Sequence, residues 1–132
     1  MNKRQLGNTN INLNAIGFGG APLGDLFENL EEKTCYNVLE KCYEKNINLY
    51  DTSPLYGYGL SEHRLGNFLK TVDEDSYYLS TKVGRYLTPE QESKIDRGRF
   101  AGGLNFSPHL DYSYDGVMRS FEQSLIRLAV SK

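Results

Sequence analysis

Short apolar runs that stop at turn residues alternate along this chain with segments of helical spacing, and that alternation restricts the fold more than any other feature. Residues 15–19 (AIGFG) form an apolar run closing on Gly19 and Gly20, residues 47–51 (INLYD) a second, and residues 77–82 (YYLSTK) a third. Each is followed, directly or after an interval, by an amphipathic pattern. Residues 31–45 place Cys35, Val38, Leu39 and Cys42 at helical spacing, with acidic residues at the start, Lys41 and Lys45 near the end and Asn46 at the stop, as the helix macrodipole and a left-handed cap favour. Residues 61–70 (SEHRLGNFLK) predict a helix capped by Ser61 that buries Leu65, Phe68 and Leu69. Residues 114–128 align Val117, Phe121, Leu125 and Leu128 in one stripe, with Ser113 or Asp115 as cap. Strands alternating with helices imply right-handed βαβ units and a parallel sheet.

Two segments fall outside the alternation. Residues 4–13 (RQLGNTNINL) predict a β-hairpin about the turn residues Gly7, Asn8, Thr9 and Asn10. Residues 83–111 carry Gly98, Gly102, Gly103, Pro89 and Pro108 in a polar context, and predict a loop far longer than a compact connection needs. The pattern stops after the third helix, at RLAVSK, with no fourth strand to follow. Three parallel strands leave two open edges, so the expectation is the front part of a longer protein, with residues 1–132 forming the N-terminal part of one domain.

Composition narrows the function. The 132 residues carry 15 basic and 17 acidic side chains, a net charge of −2, without a basic run; this argues against nucleic acid and anionic membranes as partners. The N-terminal MNKRQLGNTN lacks the apolar core of a secretion signal, and no stretch approaches the length of a membrane span. A cytoplasmic location is the default expectation. Cys35 and Cys42 lie seven residues apart, about 10 Å along a helix axis, beyond disulfide reach; they read as core thiols in a reducing compartment, and no metal site is expected.

In parallel α/β folds ligands meet the C-terminal ends of the strands. Three features fall there: Gly19, Gly20 and Ala21 after the first strand, Asp51 to Tyr56 after the second, and Lys82 after the third. A tyrosine hydroxyl is a poor proton carrier alone. An ammonium beside it favours the phenolate, and an aspartate beside that ammonium keeps it charged and fixed, so Asp, Tyr and Lys together make a tunable acid/base. Each residue also has a plainer reading: Asp51 as a turn former, Tyr56 as an amphipathic wall residue, Lys82 as a solvated strand-end lysine. GFGGAPLG lacks the G-x-G-x-x-G spacing and leads into no immediate helix, so a Rossmann fingerprint is not supported. Arg85 and Tyr86, opening the long polar segment, are candidates for a substrate or cofactor contact against ordinary solvation.

The run YDTSPLYGYGLSEHRLG, followed by STKVGRY and preceded by IGFGGAPLG, resembles the aldo-keto reductase family from Arg4 to Leu128. The resemblance implies an α/β architecture, an N-terminal β-hairpin followed by the first three βα units of a (β/α)8 TIM barrel, truncated before the fourth strand. It implies NADP or NAD as cofactor and catalysis by Asp51, Tyr56 and Lys82. Gly19, Gly20 and Ala21, with Asp51, would lie against the nicotinamide end of that cofactor, and Tyr58 would be a wall residue. The finer texture, including KVGRY and PHLDYSYDGVMRSFEQSLIRL, is most similar to the aldose 1-dehydrogenase branch, which takes in L-fucose and L-galactose dehydrogenases and pyridoxal 4-dehydrogenase and oxidises a cyclic hemiacetal carbon to a lactone. A small sugar or aldehyde is then the expected partner. The family histidine ends the fourth strand, for which neither His63 nor His109 can stand in by position, so the 132 residues alone are expected to be inactive; the alternative is a non-enzymatic aldo-keto-like subunit that binds the cofactor.

Overall fold

The computed structural model describes residues 3–131. The chain opens with a hairpin, β1 (Lys3–Gln5) antiparallel to β2 (Asn12–Asn14), about the expected turn, in which Gly7 takes φ 55°. A parallel sheet follows in the order β3 (Phe18–Gly19), β4 (Leu49–Asp51), β5 (Tyr78–Ser80). Between its strands run α1 (Glu32–Glu44) and α2 (Leu60–Leu69). After β5 come a second hairpin, β6 (Arg85–Pro89) antiparallel to β7 (Phe106–Leu110), and then α3 (Tyr114–Leu128).

The parallel register places Phe18 beside Tyr50 and Tyr50 beside Leu79. Strand alternation sends these three to the helix-covered face, where they meet Leu23, Cys35, Leu39, Leu65, Phe68, Leu69 and Leu128 in one core. Gly19, Asp51 and Ser80 are also register neighbours and fall on the opposite face, which no helix covers. Asn46 stops α1 at φ 58°, and Ser113 caps α3 by accepting from the Gly116 amide at 3.1 Å, as the sequence leads one to expect.

Three expectations need correction. The segment 83–111 is not simply a loop. Pro89 is the last residue of β6 and Pro108 lies on a strand of a two-stranded hairpin, positions where a missing N–H costs no interior ladder bond. The hairpin docks through one buried side chain, Leu87, whose N–H and C=O both bond the Gln123 side chain of α3 at 2.8 Å; a single apolar residue leaves too little periodicity to read. Secondly, the stripe of α3 is rotated: Phe121 is 40% exposed, and the buried positions are Gly116, Ser120, Ser124 and Leu128. Small side chains let the helix approach closely, and Ser120 Oγ donates to the Arg85 carbonyl at 2.9 Å. Val38 of α1 is likewise exposed.

Tyr50 is completely buried, yet its hydroxyl has no partner among the described residues, and burial pushes its pKa up to about 12. An unmet buried hydroxyl carries its full desolvation penalty. Replacing Tyr50 by Phe is therefore expected to leave stability unchanged or raise it by up to about 1 kcal/mol, measured by urea unfolding; a loss of that size would place a hidden partner on the oxygen.

Candidate active site

Beyond β4 the chain runs through Thr52, Ser53 and Pro54, all buried, into a turn in which Gly57, Tyr58 and Gly59 have φ of 62°, 53° and 96°. The turn is pinned by Gly24, where a Cβ would lie 2.4 Å from the Tyr56 carbonyl carbon. Only glycine permits that backbone contact. Tyr56 is thereby fixed between two packed loops, and Gly59, not Ser61, is the N-terminal cap of α2.

The three sequence-nominated side chains meet at the uncovered face. Lys82 Nζ donates to Asp51 Oδ2 and to the Thr52 carbonyl, each at 2.8 Å, and lies 5.0 Å from the centroid of the Tyr56 ring. Asp51 Oδ1 accepts from Ser80 Oγ at 2.9 Å. Partial burial alone would lower the Lys82 pKa, but the hydrogen bond and negative charge of Asp51, aided by the nearby Tyr56 phenol, hold it above the ordinary lysine value. The ammonium is thus kept charged beside the tyrosine. Lys82 is two residues past the end of β5 rather than within it.

Gly19 stands next to Asp51 in the ladder, and a Cβ there would meet nothing within 4 Å. That open surface suits a flat ring laid against backbone. Gly20 has a different reason to be glycine, because its Cβ would lie 2.9 Å from Ser61 Oγ and 3.0 Å from the Asp51 carbonyl oxygen. Ala21 opens the short 3₁₀ turn that carries Gly24. Tyr58 is a wall residue as expected: it is buried, donates to the Asp96 carbonyl at 2.6 Å, and packs edge-on against Phe100. Arg85 and Tyr86 lie on β6, where the Tyr86 ring stacks on that of His109 with centroids 5.2 Å apart and the Arg119 guanidinium carbon lies 4.7 Å from its centroid. His63 is exposed on α2.

Several residues that shape the site escaped the sequence reading. Residues 96–104 fold back as a wall: Phe100 lies 6.3 Å from the Tyr56 ring, the Ala101 amide donates to the Asp25 carbonyl, and the Leu104 amide to the Gly57 carbonyl. On α2, Ser61, Glu62 and Arg64 are buried. Ser61 and Glu62 precede Leu65 and Leu69 at core-face intervals, and this was the available signal that they point inward. Arg64 donates to Asp25 Oδ1 at 2.6 Å, to Glu32 at 2.7 Å, and to the carbonyls of Leu23 and Leu30.

The profile of the Aldo/keto reductase family matches residues 15–132. The chain belongs to this family. Among its curated aldo-keto relatives are pyridoxal 4-dehydrogenase of Microbacterium luteolum, 41% identical over 96% of this chain and 39% of that protein, and D-threo-aldose 1-dehydrogenase of a Pseudomonas species, 38% identical over 89% and 37%. L-galactose dehydrogenase of Arabidopsis thaliana is 35% identical over 95% of this chain and 34% of its own length. The chain thus spans less than two-fifths of these relatives. Among solved structures, the holo form of an aldo-keto reductase from Bacillus halodurans superposes with a TM-score of 0.73 at 29% identity, covering 98% of this chain and 37% of that one. The chain is α/β, and structures of aldo-keto reductases superpose on nearly all of it.

The Arg64 node predicts a large mutational effect. Asp25 is only 8% exposed at its side chain, so Arg64→Ala would leave its carboxylate buried and unpaired beside two unmet carbonyls. The expected loss is about 3–5 kcal/mol, read from denaturant unfolding; a loss below one would show that water replaces the guanidinium.

Proposed function

We propose that this chain is the N-terminal part of a longer (β/α)8 barrel, comprising the hairpin and the first three βα units, and that the whole protein is an NAD(P)-dependent aldose 1-dehydrogenase. The observation that carries the reading is the cluster of Asp51, Lys82 and Tyr56 at the C-terminal ends of adjacent parallel strands. The named relatives favour a sugar hemiacetal or an aldehyde-derived hemiacetal as substrate, oxidised to a lactone. Gly19, Gly20, Ala21 and Asp51 would hold a nicotinamide, which would supply the hydride acceptor; the open surface at Gly19, where a Cβ would meet nothing within 4 Å, supports that placement.

Tyr56, as phenolate, accepts the proton from the anomeric hydroxyl while the hydrogen on the same carbon departs as hydride. The C–H and O–H bonds break, the carbon–oxygen bond becomes a carbonyl, and the tyrosine ends protonated. Lys82 holds positive charge beside the phenolate and favours it over the phenol. Asp51 keeps Lys82 charged and fixes its position, with Ser80 holding the other carboxylate oxygen. Phe100 walls one side of the Tyr56 ring, with Tyr58 packed edge-on behind it.

Changing Tyr56 to Phe in the complete protein is expected to cost kcat at least about 100-fold, the usual worth of a positioned acid/base, while cofactor affinity changes little; retained turnover overturns the assignment. Residues 1–132 alone are expected to give no substrate-dependent change in nicotinamide absorbance. Asp51 and Lys82 side chains remain 41% and 47% exposed here, and among the described residues none stands in for the family histidine, His63 lying exposed on α2 and His109 on β7. Turnover by those residues alone would sink this part of the reading.

A further inference from the structure

Asp51 and the Thr52 carbonyl hold the Lys82 ammonium, but the backbone that carries it has a support outside the acid/base cluster. It lies beyond β5, where the ladder no longer fixes the backbone, and its side chain is nearly half exposed. The residue before it, Thr81, turns its side chain the other way, and Thr81 Oγ1 donates to Glu62 Oε1 at 2.7 Å. Glu62 is fully buried in the first turn of α2, and its second oxygen accepts from Arg127 Nε of α3 at 2.6 Å. Both carboxylate oxygens are thus engaged, and Arg127, itself only 9% exposed, is steadied by Ser124.

Beside it, Ser61 Oγ donates to the Gly20 carbonyl at 2.7 Å and lies 2.9 Å from Thr52 Oγ1. One turn of α2 therefore holds the ends of all three parallel strands, β3 through Gly20, β4 through Thr52 and β5 through Thr81. A buried carboxylate is costly unless paired and hydrogen-bonded, and a hydrophobic residue would fill the same space. What the carboxylate adds is direction: it sets the orientation of residue 81 and so the point from which the Lys82 side chain departs.

We infer that Glu62, through Thr81, is a positioning residue that sets Lys82 against Asp51 and Tyr56, with Arg127 of α3 as its counter-charge. This rests on the acid/base reading of Tyr56. Small displacements of a reacting group have large kinetic effects, so Thr81→Val in the complete protein is expected to lower kcat on the order of 10- to 100-fold. It should also move the acidic limb of the kcat/KM profile to higher pH, because a displaced ammonium no longer favours the phenolate.

Thr81→Ser, which keeps the hydroxyl, is expected to return both quantities towards the wild type. Glu62→Asp, which retains the charge for Arg127 but draws the oxygen back from Thr81, should move the limb in the same direction as Thr81→Val and provides the test if that variant fails to fold. A second readout is the titration of reductively methylated Lys82 by NMR, expected at lower pH wherever the limb has moved. An unmoved limb and unmoved Lys82 titration in a folded variant, alongside a lower melting temperature, would make Glu62 merely structural and overturn the inference. Turnover that survives Tyr56→Phe would instead overturn the acid/base reading beneath it.

Discussion

The burial of polar groups along one side of α2 is the constraint on which the arrangement of strand ends depends. Ser61, Glu62 and Arg64 lie within about one turn at the start of α2, where the buried side of an amphipathic helix would ordinarily carry aliphatic residues, and each is hydrogen-bonded to a residue outside the helix. Apolar packing is tolerant of sliding, whereas a directed bond to a single oxygen is not. Leu65, Phe68 and Leu69 bind the helix to the sheet, and the polar residues determine the register in which it binds.

The two faces of the sheet also separate the core from the proposed site. The core lies on the helix-covered face, built by Tyr50, Leu79 and the inward residues of α1, α2 and α3. The opposite face carries Gly19, Asp51 and Ser80 and is the face on which the proposed site lies. Because neighbouring residues of a strand point to opposite faces, Tyr50 and Asp51 serve the two purposes side by side, and Thr81 and Lys82 repeat the division beyond the end of β5.

Much of this was legible in the sequence. The first hairpin, the three parallel strands and the three helices follow from turn residues and periodicity, and the Asp51, Tyr56 and Lys82 cluster follows from strand ends and motif order. What was hidden has physical reasons. The β6–β7 hairpin shows one buried side chain, Leu87, amid prolines and glycines that usually mean loop. Ser61 has the chemistry of a helix cap, but the preceding Gly59, at φ 96°, supplies the chain reversal and frees the hydroxyl for a long-range bond. The buried face of α3 is made of Gly116, Ser120 and Ser124, residues that hydropathy counts as outward. Phe100 could not be placed beside Tyr56 because contacts between residues so far apart in the chain leave no local periodic trace.

The wall formed by residues 96–104 is attached in an unusual way. Asp25, Phe27, Gly57, Arg99, Ala101 and Leu104 take part through peptide groups, the Phe27 amide meeting the Arg99 carbonyl at 2.9 Å. Every residue brings a backbone carbonyl and every residue but proline an N–H, so these bonds are blind to side-chain identity at most positions along the segment. The seat of the segment beside Tyr56 therefore tolerates exchange of Phe100 but not of Gly102 or Gly103, where a Cβ would lie 2.3 Å from Asp25 Oδ2 and 2.7 Å from the Gly57 carbonyl oxygen. Variation in the wall is thus confined to the positions between fixed glycines and backbone bonds.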